Sequence, residues 1–78
     1  MHFEKKLVAL MTKELNVSED DIINGLKMGD IEEWDSLGHI GLIVKIETEF
    51  DLIFDPEDLA DLISYKSIIN KIKTIKQL

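Results

Sequence analysis

Ser36-Leu37-Gly38-His39-Ile40-Gly41-Leu42-Ile43-Val44-Lys45-Ile46-Glu47-Thr48-Glu49-Phe50 is the stretch that decides the fold. Asp35 or Ser36 can cap it, because either side chain can accept from a free N–H of a first helical turn. Taken at about 100° per residue, Leu37, Ile40, Leu42, Ile43, Val44, Ile46 and Phe50 cover a broad arc. A helix packed on one side needs less. The extra width predicts a second apolar contact, with either another helix or an apolar ligand. His39 falls inside that arc and reads as a partly buried, hydrogen-bonded histidine. Gly38 and Gly41 share the narrow polar arc with Lys45 and Thr48. Each costs about 1 kcal/mol against alanine in a helix interior. Close approach of another backbone or a partner would account for them, and so would simple tolerance.

Working outward, Phe3, Leu7, Leu10, Met11 and Leu15 fall at helical spacing, so residues 3–15 form a first helix. Residues 16–35 are irregular. The spacing predicts a long loop with a helical turn near 19–25, pinned by Val17, Ile22, Ile23, Leu26, Met28 and Ile31. Leu52-Ile53-Phe54 is short and extended. Asp55-Pro56-Glu57-Asp58 opens a short helix over 56–62, with Asp55 as the cap and Pro56 at the first helical position. Ser67 caps a last helix carrying Ile68, Ile69, Ile72 and Ile75. The expected architecture is all-α, a four-helix bundle. It has three main helices, a short third helix and a long loop between helices 1 and 2. Residues 1–78 make one domain.

The chain has 78 residues and no cysteine. Disulfide scaffolds, Cys-rich zinc sites and thiol chemistry from the polypeptide are excluded. The net charge of -7 is uneven. Residues 28–62 carry eleven acids against Lys45 alone, while residues 63–78 carry four lysines and no acid. The anionic middle repels nucleic-acid phosphates and suits basic protein partners, or else simply solvates the surface. No apolar run approaches the roughly 18 residues that span a bilayer, so no membrane insertion is expected. The first residues lack the order of a signal peptide, and a cytoplasmic monomer is expected. Asn16-Val17-Ser18 reads as a chance glycosylation pattern.

Enzyme constellations fail in turn. His2 and His39 are the only imidazoles. A Ser36–His39 pair has nothing to supply an oxyanion hole. A calcium loop started at Asp20 or at Asp30 misses the required glycine or glutamate, so no metal site is assigned.

What remains is Asp35-Ser36-Leu37 at the start of an acidic second helix. Here the chain resembles the acyl carrier protein family. The resemblance runs through the first helix, the long loop, Asp35-Ser36-Leu37, the close of the second helix at Glu47 to Phe50, and the short Asp55–Leu62 helix. It implies that Ser36 is the attachment serine for 4'-phosphopantetheine, taken from coenzyme A by a separate phosphopantetheinyl transferase. The arm's thiol then holds cargo as a thioester, so the polypeptide needs no cysteine. Such a carrier is not itself an enzyme. Asp35 and Leu37 would be read by the transferase. Ile40, Val44, Glu47, Asp55, Glu57, Asp58 and Asp61 would meet acyl-loading and acyl-processing enzymes with basic surfaces. Ile40, Val44, Ile43 and Leu62 would contact cargo or partner, or form ordinary core.

The implied setting is fatty acid, specialised lipid or secondary-metabolite biosynthesis. The alternatives are an aminoacyl, D-alanyl, peptidyl or polyketide carrier, or an unmodified helical interaction module. Carriers of primary fatty-acid synthesis commonly place acids just after D-S-L, where this chain has Gly38, His39 and Gly41, then Lys45. Trp34 stands where that class often has a small residue. The resemblance is therefore to a specialised stand-alone member.

Overall fold

Leu7, Met11 and Leu15 recur every four residues and are fully buried, which is what makes His2–Leu15 a helix, α1. Asn16 adopts the left-handed region at φ 57° and ends it. The computed structural model describes residues 2–77; Met1, Leu78 and the His2 side chain lie outside the described residues. Ser18 accepts from the Asp21 amide and starts a single helical turn, α2, over Glu19–Ile23. Ile22 turns into the core. Ile23, expected to help pin the loop, is instead 61% exposed. A turn of five residues has room for one inward position, and Ile22 takes it.

The rest of the long loop is fastened by its backbone as well as by side chains. The Met28 amide donates to the Ile63 carbonyl at 2.8 Å, and Lys27 pairs with Ser64 in an isolated bridge. Val17, Leu26, Met28 and Ile31 pack half-buried against the core. A 3-10 turn at Glu32–Trp34 then delivers the chain to α3, Ser36–Phe50. Asp51, left-handed at φ 53°, closes α3. Leu52 and Phe54 are buried with Ile53 exposed between them, the alternation of extended chain.

Two boundaries differ from expectation. The short third helix is a 3-10 helix over Pro56–Asp61, and Asp55, though at its cap position, makes no side-chain cap bond. Six residues led by a proline gain too few i to i−4 bonds to favour the α form. The last helix, α4, runs Tyr65–Lys76 and is capped by Ser64, not Ser67. Ser67 is the reciprocal partner in a capping box, its hydroxyl accepting from the Ser64 amide. Tyr65 stands three, four and seven residues before Ile68, Ile69 and Ile72 and packs half-buried against the core, so the stripe extends one turn earlier than its isoleucines.

The helices enclose one core cluster, with Leu7, Met11, Ile22, Trp34, Leu42, Ile46, Ile68 and Ile72 almost fully buried. Among the described residues there is no strand, and no helix is long and apolar enough to cross a membrane. Replacing Ser64 by alanine removes a cap worth about 1 kcal/mol. Thermal denaturation should show a midpoint lowered by about 4–8 °C. Ser67→Ala should cost less, because the Ser64 hydroxyl still accepts from the residue 67 amide.

Candidate functional site

The site is the junction between the Glu32–Trp34 turn and α3. Asp35, not Ser36, caps the helix. Its Oδ1 accepts from the Gly38 amide at 2.7 Å, and its carbonyl accepts from the His39 amide at 2.8 Å. Of the two cap residues the sequence offers, the structure uses Asp35; Ser36 is the first helical residue and makes no cap bond. Ser36 is exposed. A helix start leaves its first amides without intrahelical partners, and those of Ser36 and Leu37 are the ones Asp35 does not take. The arrangement offers an accessible hydroxyl beside free N–H groups at the positive end of a 15-residue helix, a setting that fits a phosphate ester.

On either side of Ser36 in the chain stand the two side chains of a buried polar relay. The Trp34 indole N–H donates to His39 Nδ1 at 3.0 Å, and His39 Nε2 lies 3.3 Å from the Leu59 carbonyl. An indole nitrogen can only donate. His39 therefore accepts at Nδ1, carries its proton on Nε2 and donates to Leu59. Trp34 is fully buried and His39 nearly so. Stripping either buried group of its partner would cost about 1–3 kcal/mol. The relay ties three segments together: the turn before Ser36, α3, and the 3-10 helix Pro56–Asp61.

Gly38 belongs to the same construction. A Cβ there would run into the Glu33 backbone carbonyl, so the turn can fold down on α3 only because residue 38 is glycine. Gly29, at φ 96°, donates its amide to the Trp34 carbonyl at 2.8 Å and holds the turn from the other side. Gly41 has open space around it and needs no such account. Trp34, Gly38 and His39 are thus one unit. A lone tryptophan that must find an acceptor when buried was its one signal in the sequence.

The broad arc of α3 divides in two. Leu42, Ile43, Ile46 and Phe50 enter the core, with Leu62 beside them. Leu37, Ile40 and Val44 do not; they stand exposed in a row, at 79%, 60% and 54%. Ile53 continues the row, and with Val44, Glu47 and Leu52 it lines an open surface depression. Of the residues expected to touch cargo or partner or else to form ordinary core, Ile40 and Val44 are exposed, while Ile43 and Leu62 are core.

The acidic residues also separate. Asp55, Glu57 and Asp61 are exposed. Glu47 is half-buried, and its Oε2 accepts from the Phe54 amide at 2.9 Å, pinning the chain after α3. Asp58 pairs with Lys71 at 2.8 Å, and this hydrogen bond holds the Lys71 ammonium above its ordinary pKa. Glu47 and Asp58 thus have structural duties, whatever else they meet. Among the described residues no group of three or more acids or histidines is arranged to hold a metal ion.

A comparison with protein-family profiles finds no match. The chain is 35% identical to an acyl carrier protein of Buchnera aphidicola subsp. Schizaphis graminum (strain Sg), over 69 residues covering 88% of this chain and 87% of that relative. At that identity and coverage, the chain belongs to the acyl carrier protein family.

The two glycines of α3 should respond oppositely to alanine. Gly41→Ala should stabilise by about 0.5–1 kcal/mol, the gain from helix propensity in open space. Gly38→Ala should destabilise by about 1–3 kcal/mol, because the Glu33 carbonyl must move. Urea unfolding of both variants measures the two signs side by side.

Proposed function

We propose that this family member carries acyl or related intermediates as thioesters, on a 4'-phosphopantetheine arm attached to Ser36. The observation that carries the reading is the division of labour at the start of α3. Asp35 does the capping, and the Ser36 hydroxyl stands exposed and uncommitted. The arm would supply the thiol that the sequence lacks. The chain's own residues do the rest. The Ser36 oxygen forms the phosphoester bond, and the amides of Ser36 and Leu37 with the α3 dipole favour its negative charge. The chain catalyses nothing itself; it is the substrate of a phosphopantetheinyl transferase.

The exposed row Leu37, Ile40, Val44 and Ile53, with the exposed acids Asp55, Glu57 and Asp61 following Ile53 in the chain, suits partners with a small apolar contact and a basic rim. Such a surface orients an encounter without binding tightly, as a shuttling carrier requires. Fatty acid or specialised lipid and secondary-metabolite synthesis is the setting, and a carrier of aminoacyl groups uses the same site.

The test is an intact mass after incubation with coenzyme A, magnesium and a permissive phosphopantetheinyl transferase. The native chain should gain one phosphopantetheine group and Ser36→Ala none. A folded native chain that gains nothing, or a Ser36→Ala chain that is still modified, overturns the assignment.

A further inference from the structure

Trp34 and His39 are the buried side chains that flank Ser36 in the chain, two residues before it and three after. The core positions nearest to Ser36 in the chain are therefore already taken, by the largest side chain of the core and by an imidazole hydrogen-bonded to it. We infer that cargo carried at Ser36 rides outside the bundle, and that Trp34 and His39 are the residues that keep it out; this rests on the carrier reading above.

Three observations converge. The first is volume. Trp34 is fully buried, and protein interiors are packed too densely to admit an alkyl chain without displacing what is there. The second is polarity. Parting α3 from the 3-10 helix Pro56–Asp61 means parting His39 from the Leu59 carbonyl, and dislodging the indole strips Nδ1 of its donor. An alkyl chain offers neither group a replacement partner. Among the described residues every buried side-chain nitrogen and oxygen now has one. The third is that apolar surface is available outside at no such cost. Leu37 and Ile53 are the most exposed of the large apolar side chains, and Ile40 and Val44 lie between them along the same row.

The cargo class follows. Short acyl groups and polar ones, such as hydroxyacyl or aminoacyl groups, lose little by staying in water. A long alkyl chain would have only the open row Leu37, Ile40, Val44 and Ile53 to lie against and would stay largely in water, so this carrier is built for the former.

The test uses the native chain loaded from acetyl-, hexanoyl- and dodecanoyl-coenzyme A, each product first confirmed by intact mass. Trp34 is the one tryptophan, so its emission reports the interior beside Ser36 directly. The expected result is a thermal midpoint and a Trp34 emission wavelength that do not change along the series. A midpoint that climbs with chain length, together with a shifted emission, overturns the inference while leaving the carrier reading intact. Absence of any mass gain sinks the carrier reading, and the inference with it. In Trp34→Ala and His39→Ala the dodecanoyl form should melt above the same variant's acetyl form. If neither folded variant shows that rise, the assignment to these two residues is wrong. Should Trp34→Ala fail to fold, the native series and His39→Ala decide the matter.

Discussion

A tryptophan cannot be buried without an acceptor for its indole N–H, and in this chain the acceptor is His39. That single requirement organises the upper half of the molecule. It fixes the tautomer of His39, whose other nitrogen then reaches the Leu59 carbonyl. It draws the Glu32–Trp34 turn down onto α3, closely enough that residue 38 must be glycine. It leaves Asp35 at the helix start with its carboxylate on the Gly38 amide, and so leaves Ser36 uncommitted. The exposed Ser36 thus stands in the chain between two residues whose side chains are buried and paired with each other.

The rest of the chain supports that junction from a distance. Ordering the long loop between α1 and α3 costs conformational entropy that its contacts must offset. Here Ile22 anchors it in the core, and the Met28 amide reaches across to the Ile63 carbonyl. Lys76 at the end of α4 donates to the Asp51 carbonyl and Lys6 of α1 to the Glu49 carbonyl, so two cations close the last turn of α3. Asp55, Glu57, Asp58 and Asp61 crowd the segment that follows α3. The molecule therefore presents an apolar row from α3, with the candidate attachment serine next to Leu37 at one end and Ile53, just before these acids in the chain, at the other.

Much of this was legible in the residues. Leu7, Met11 and Leu15 announce α1, and the broad apolar arc announces α3, because burial imposes its period on the sequence. Asp35-Ser36-Leu37 marks the candidate site, because a helix start needs a cap and the resemblance to carrier proteins implies a serine there. The less legible parts are those that the period alone does not decide. Ser64 and Ser67 are alike as cap residues, and the one apolar sign favouring the earlier of them is Tyr65, a ring in register with Ile68 and Ile69 but outside the run of isoleucines. Ile22 and Ile23 are alike in type, and only the geometry of one short turn sends the first inward and the second out. Which half of the α3 arc would be core depended on where the other helices lie. Trp34, Gly38 and His39 look like three unrelated oddities along the chain, and become one contact only when the turn folds back on the helix.

The most direct measurement is nitrogen-15 NMR of the Trp34 indole and the His39 ring in the unmodified chain. The account predicts an indole N–H that exchanges with solvent only as slowly as the whole domain unfolds, and an imidazole protonated at Nε2 with Nδ1 accepting. An indole proton that exchanges at the rate of a surface group, or a His39 ring protonated at Nδ1, would contradict it.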